Sequence, residues 1–461
     1  LGFPFFFFCL LAPLAGALFL FKAPSVESAR LWGALSCVFA ALMWGGAGWL
    51  AAASGQSMGD MMLPKLLEVD SLDTAPMVLF ALLTLATLLA APRRDLSGAS
   101  LSGILFILVG TAIAYQAGTL AGMVLGWWVS CAPGMLGAFG PRRDRLALTV
   151  QIMGCLSLTV AAALTGFGHE NFEGARALAF GFMILAVVLR KGIFPAHSWV
   201  LNACDHGPLL PNILLFNGHL GAMILLRAES THLAETAQHI LEWVSMGALG
   251  TALFASVAAI AQKRPRRILA LLSVSQAAFI LAGLGSRNVE GITGALMHWL
   301  VVAAATTGLA CILRAVESRC SDAVTGQGHL GLAVRAPRLA VFFLVCGLAL
   351  VGLPGTLGYC AEDILFHGAL ASHPLIGLSL LIATALNAIH LVRLYSHLFL
   401  GRKAAEVPAV PDALPRERWA LAACVVFLVA AGVLPGKLVA WRAASAERLM
   451  QSFGSVDHSK H

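Results

Sequence analysis

Between Gly352 and Gly368 the chain reads GLPGTLGYCAEDILFHG, and two carboxylates, Glu362 and Asp363, stand side by side in an otherwise apolar stretch. Pro354, Gly355 and Gly358 interrupt the run just before them. A charged side chain at bilayer depth costs at least ~3 kcal/mol, so a carboxyl kept there is a candidate for proton exchange. Asp363 reads equally well as a solvated or capping carboxylate. In LRKGIFPAHSW, Arg190 and Lys191 end an apolar run. Pro195 follows, where it would break a helix and free backbone carbonyls. The alternative is that both cations snorkel to the membrane surface. In NACDHGPLLPNILLFNGHLGAM, Asp205 and His206 read as loop or cap residues, whereas Asn217 and His219 fall inside the next run. An imidazole titrates near neutrality and suits a proton relay; an interhelical hydrogen bond would suit His219 as well. His298 is the one imidazole or charged group of its run, GALMHWLVVAAATTG, and the same two readings apply. In NAIHLVRLYSHLFLGR, His390, Arg393 and His397 share a helical face at steps of three and four. Arg393 is expected to pair with a carboxylate of a neighbouring helix, Glu362 being the candidate.

The elements that must hold these groups are membrane helices. Hydrophobic residues make up 59% of the 461 and charged ones 11%, against roughly 25% charged in ordinary globular chains; mean hydropathy is +0.84. Runs of the ~20 apolar residues that a span needs number about fourteen. They lie near 3–21, 31–53, 75–91, 100–116, 118–139, 146–167, 177–198, 208–227, 239–261, 268–286, 292–313, 339–367, 374–400 and 419–441. The twelfth is too long and too broken for one straight helix. The first lacks the basic flank and small-residue cleavage site of a secretory signal, and is expected to be a retained span. The organisation expected is a single polytopic membrane domain: 1–99 as N-terminal helices, 100–227 and 239–400 as two halves, and 401–461 as a last helix and tail. No connection is long enough to fold as a soluble domain.

Charge alternates along the loops. One set carries Lys22 and Arg30; Arg93 and Arg94; Arg142, Arg143 and Arg145; Lys263 to Arg267; Arg314, Arg319, Arg335 and Arg338; and Arg402, Lys403, Arg416 and Arg418. The other carries Asp60, Glu68, Asp70 and Asp73; His169, Glu170 and Glu173; and Glu229, His232 and Glu235. Roughly nineteen of the 30 Lys and Arg sit in the first set, which the positive-inside rule places in the cytoplasm. With an even number of spans, both termini are expected outside. The ten cysteines form no CxxC pair and read as small apolar fillers. No phosphate-binding loop, dinucleotide fingerprint or HExxH helix is found, so no cofactor, metal or catalytic centre is expected.

From about Val109 to Gly401 the chain resembles the antiporter-like proton-channel subunits shared by respiratory complex I, Mrp-type cation/proton antiporters and membrane-bound hydrogenases. FPAHSWVLNACDHGPLLPN is similar to that family's P-x-H-x-W-L-P-D-A…A-P segment. RRILALLSVSQAAF is similar to its K-R-x-L-A-Y-S-S-x-S-Q helix at Arg266, Arg267, Leu269, Ala270, Ser273, Ser275 and Gln276. GLALVGLPGTLGYCAEDIL is similar to its L-A-G-L-P-x-x-x-G-F segment, which a Lys or Glu follows.

The resemblance implies an all-α membrane fold in which two inverted five-helix repeats each contain a broken helix, with charged residues along the midplane carrying protons. It makes Glu362 the ionisable group of the second broken helix and places the seventh-helix Lys of the family on Arg190, with Lys191 beside it. It also exposes departures. Trp127 stands where the fifth-helix Glu is expected, and Val302 replaces the Lys of an HxxxK that begins at His298. Arg cannot release its proton at useful pH, so Lys191 and the histidines would have to substitute. The relay candidates are therefore Glu362, Lys191, Arg190, His219, His298, Arg393 and His390. The function expected is a membrane subunit of an ion-translocating complex of the bacterial inner membrane, working with other membrane subunits, lipid and a soluble catalytic partner, and with no nucleic acid. Alternatives are the membrane subunit of a DAB-like inorganic-carbon uptake system, and a degenerate, non-conducting scaffold.

Overall fold

The computed structural model describes residues 5–20, 25–54, 58–59, 68–140, 144–167, 173–229, 234–320, 329–401 and 411–457. The loop charges Lys22, Asp60, Arg142, Arg143, His169, Glu170, His232, Arg402 and Lys403 lie outside the described residues. Apart from one two-residue strand pair, the regular structure is helical. The helices are α1 (Phe5–Leu20), α2 (Val26–Ser54), α3 (Ser71–Ala90), α4 (Gly98–Gln116), α5 (Leu120–Leu136), α6 (Arg145–Phe167), α7 (Glu173–Lys191), α8 (Ser198–His206) and α9 (Leu209–Asn217). They continue as α10 (Leu220–Glu229), α11 (Ala234–Ala258), α12 (Pro265–Leu284), α13 (Val289–Arg319), α14 (Pro337–Leu350), α15 (Leu357–Ser372), α16 (Pro374–Phe399), α17 (Pro415–Val433) and α18 (Gly436–Asp457).

The starts follow local chemistry. α12, α14, α16 and α17 begin on proline, whose missing N–H is no loss in a first turn. Asp70, Thr119 and Asn288 cap α3, α5 and α13, and Ser97 with Ser100 closes a capping box on α4. Among the described residues nine helices are long and apolar enough to cross a membrane, ten if α17 and α18 count as one bent span. The other apolar runs fall on shorter or interrupted helices.

Three interruptions change the outline read from the sequence. The run 177–198 stops being helical at Lys191. The run 208–227 divides into α9 and α10 at Gly218–His219. The run 419–441 ends at Val433, and α18 turns 84° away from α17. The break between α14 and α15 falls where Pro354 and Gly355 place it.

Lipid tails supply no hydrophobic drive between helices, so close packing and small residues do the holding. α13 is the hub, buried along its length and touching α3, α9, α12, α14, α15, α17 and α18. α4 and α5 approach most closely at Gly110 and Gly126, where a Cβ on either glycine would collide with the other helix's backbone at Ser130 or Ala114. That approach sets Trp127 and Ser130 toward the interior.

The basic loops converge on one end of the bundle. Arg266 grips Glu317 with two bonds of 2.6 Å, and Arg314 grips Asp95 the same way. Arg264 pairs with Asp205 at 2.8 Å, Arg319 with Glu417 at 2.6 Å, and Arg93 with Glu27 at 3.4 Å. Loops far apart in sequence therefore share one face, as their alternating charge requires.

Candidate functional site

Breaks after Lys191, at Gly218–His219 and between α14 and α15 carry Arg190, Lys191, His219 and Glu362, four of the buried ionisable groups. α7 ends because Gly192 takes a left-handed conformation (φ +63) and Pro195 follows. Consecutive helical residues point ~100° apart, so Arg190 and Lys191 face different neighbours, and both are buried. Arg190 lies 5.2 Å from the ring centroid of Trp127. It donates to Ser130 Oγ at 3.2 Å and to the Leu215 carbonyl at 3.5 Å, and it abuts the Cys131 sulfur. The place where a carboxylate was expected on α5 is thus filled by an aromatic face, a cation–π partner in place of an ion pair.

Lys191 turns to the second interruption. Its Nζ meets His219 Nδ1 at 2.5 Å and lies 5.2 Å from the Phe216 ring centroid. His219 is presented by the break itself: it has φ 46, a left-handed conformation uncommon outside glycine. The freed Gly218 carbonyl accepts from the Tyr115 hydroxyl at 3.0 Å. Asn217 donates to Thr306 and Thr307 at 2.8 and 2.9 Å, tying α9 to α13. With Lys191 as donor, Nδ1 accepts and the remaining imidazole proton belongs on Nε2, which has no protein partner.

The Trp299 ring lies edge-on to His219 at 5.4 Å and to Tyr115 at 6.1 Å. Its neighbour His298 is fully buried and stacks on Phe279 at 5.6 Å, with the Gln276 backbone beside its ring and no side-chain partner for either ring nitrogen. Gln276 on α12 and Gln116 on α4 also bury side-chain amides without protein partners. Bare polar atoms at this depth mark places for water. Val302, one turn along from His298, is buried and apolar.

At the α14–α15 break the two adjacent carboxylates part company. Asp363 is exposed and lies 3.6 Å from His367. Glu362 is buried, faces Thr384, and leaves Oε1 without a hydrogen bond. Gly352 (φ +73) makes room for it: a Cβ there would stand 2.5 Å from Glu362 Oε2.

The expected pairing of Arg393 with Glu362 does not form. Arg393 is exposed and donates to the carbonyls of Ile260 at 3.2 Å and Gln262 at 3.4 Å, capping the end of the α11 segment. Arg393 and His390 touch at 3.3 Å, but their common face looks toward α11. His390 contacts the Ser256 carbonyl at 2.6 Å. Asp205 binds Arg264 at the basic end, as a loop residue should.

Residues that sequence reasoning did not single out also gather. Asp73, which reads as part of an acidic loop, is fully buried against Arg227, and Arg442 of α18 lies beside them. The signal available was an acid in the first turn of an apolar run. No three His, Cys, Asp or Glu converge as metal ligands among the described residues.

Residues 146–387, which include Lys191, His219, His298 and Glu362, match a family described as NADH:quinone oxidoreductase/Mrp antiporter, TM. The chain belongs to this family. As an NADH:quinone oxidoreductase/Mrp antiporter-type chain it is 25% identical over 278 residues to NADH-quinone oxidoreductase subunit M of Rickettsia felis, covering 59% of this chain and 55% of the relative. It is 28% identical over 236 residues to subunit N of Desulforudis audaxviator, covering 48% and 45%. The matched region spans about half the length of the curated relatives. Among solved structures, a chain of respiratory complex I from Thermus thermophilus superposes with a TM-score of 0.81 at 21% identity, covering 96% of this chain and 99% of that one. A chain of the Mrp complex from Dietzia sp. DQ12-45-1b gives 0.78 at 16%, covering 97% and 98%. A chain of an archaeal membrane-bound sulfane sulfur reductase gives 0.82 at 18%, covering 94% and 76%. These likenesses give the antiporter-type fold, in an integral membrane protein.

Proposed function

We propose that the chain is a membrane subunit of an ion-translocating complex that conducts protons, or couples to their movement, through buried titratable side chains. One observation carries the reading: Lys191 and His219, each about 1% exposed, are in hydrogen-bond contact at the centre of the bundle. An amine and an imidazole can each take up and release a proton near working pH. Both cannot hold a positive charge at this separation in a medium of low dielectric. A proton arriving on one is therefore driven off the other, which is the elementary step of a relay. Arg190, permanently charged next door, biases that step without carrying its proton. His298 and Glu362 are further stations, reached through water at the breaks. His390 and Arg393, bonded to the end of the α11 segment, serve as structural ties.

The same reading assigns the basic end to the cytoplasm of a bacterial inner membrane and the Asp70–Asp73 end to the outer face, with both termini outside. It treats 1–99 as leading helices, 100–227 and 239–400 as inverted repeats, and 401–461 as a tail. In support, the Gly192–His197 break and the α14–α15 break each interrupt the fourth element of their half. Other membrane subunits and a soluble catalytic partner would supply the chemistry that drives transport. Relatives named as subunits M and N support that assembly.

The test is proton flux through the full chain reconstituted in vesicles under an imposed potential. Lys191→Met should slow it at least ~10-fold, a threshold set below the roughly 100- to 10,000-fold that a positioned proton-transfer group contributes. Flux equal to that of the unaltered chain would contradict the role.

A further inference from the structure

At the end opposite the basic loops, the bundle buries charges that none of these breaks uses. Asp73, in the first turn of α3, has none of its surface exposed. Its Oδ2 is held by the Arg227 guanidinium at the end of α10, while Oδ1, buried as well, accepts no hydrogen bond. Asp70, the N-cap of α3, lies 3.5 Å from the same guanidinium with 29% of its side chain exposed. Arg442 of α18 is fully buried, donates to the Leu72 carbonyl at 3.1 Å, and faces both carboxylates. Tyr115 completes the surroundings of Asp73, its carbonyl accepting from Arg227 at 3.2 Å.

The pairs at the basic end show what an anchoring ion pair looks like in this molecule. Arg266–Glu317 and Arg314–Asp95 engage both carboxylate oxygens, the geometry in which a buried pair recovers most of its desolvation cost. Asp73 departs from it. One lone-pair face of a wholly buried carboxylate is left without a donor, which is unfavourable for the charged form and gives the group a site where a proton can land. The location is directional. Tyr115, bonded to Arg227 through its carbonyl, donates its hydroxyl to Gly218, the residue before His219. It also packs on Trp299, which in turn lies against His219. The acid and the Lys191–His219 pair thus lie on either side of one tyrosine.

We propose that Asp73 is the outer proton station of the first half. It takes a proton on Oδ1 from the Lys191–His219 pair by way of water along Tyr115 and passes it to Asp70 and the outer solution. Arg227 and Arg442 hold the two carboxylates in place, so the bent C-terminal helix closes the outlet. This rests on the proton-conducting reading above.

The experiment uses the full chain in vesicles with a potassium diffusion potential, a pH dye inside, and the outer pH varied. Asp73→Asn should lower flux at least ~10-fold. Asp70→Asn keeps a good N-cap, so the helix start survives. It should still lower flux roughly threefold or more by removing charge from the mouth, and shift the dependence on outer pH but not on inner pH. An unaltered chain that conducts, alongside an Asp70→Asn variant whose flux and outer-pH profile are unchanged, overturns the outlet and leaves the conducting reading intact, even if Asp73→Asn fails to fold. An unaltered chain that passes no protons overturns the conducting reading and the outlet with it.

Discussion

Arg190 and Lys191 are adjacent in the chain and face different neighbours: the guanidinium rests against Trp127, 5.2 Å from its ring centroid, and the amine reaches His219 at 2.5 Å. One position keeps its charge and the other can lose it. On the proton-conducting reading proposed above, that division lets Lys191 carry the proton while Arg190 keeps its charge against Trp127.

The Trp127 contact should be measurable as stability. Trp127→Leu removes both ring volume and the cation–π contact, and should cost about 3 kcal/mol. Trp127→Phe keeps part of each and should cost about half as much. Unfolding titrations in mixed micelles compare the two, and equal losses would show that the ring face contributes nothing.

The glycines of the α14–α15 break separate strain from function. Gly352 and Gly355 both have positive φ, but a Cβ on Gly352 would meet Glu362 whereas one on Gly355 has open space. Each alanine substitution should destabilise by about 1 kcal/mol through backbone strain. Only Gly352→Ala should also slow proton flux, by displacing the carboxyl.

Glu362 itself should tolerate neutralisation structurally, since it has no ion pair among the described residues. Glu362→Gln is expected to keep the unfolding midpoint within ~1 kcal/mol of the unaltered chain while lowering flux. A variant that unfolds but conducts normally when folded would reassign the residue to packing.

The basic end supplies a contrast. Glu317→Gln strips Arg266 of a two-bond partner in a largely buried setting and should cost about 3 kcal/mol. Adding Arg266→Met should restore part of that, giving a coupling of at least ~1 kcal/mol in a double-mutant cycle.

Much of this was legible in the chain. Apolar runs and loop charges mark the helices and their alternating direction, because lipid and surface potential act on composition directly. The Pro354–Gly355 break and the buried Glu362 follow from residues that few apolar helices tolerate. Other features depend on which neighbour a face meets, and periodicity within one helix says nothing of that. Arg393 shares a face with His390, yet the face looks at α11 rather than at Glu362. The bend at Pro435–Gly436 carries the same Pro–Gly signal, but the apolar residues on either side of it read as one run. Arg442 reaches the Asp73 site only because α18 turns back across α3, a contact between distant parts of the chain.

The central claim is that a proton, and not merely a positive charge, passes through Lys191. Lys191→Arg tests it most directly, because arginine keeps the charge and cannot release its proton. Measured as proton flux into vesicles holding the full chain, the account predicts a fall of at least ~10-fold with the fold intact. Flux undiminished by the substitution would contradict it.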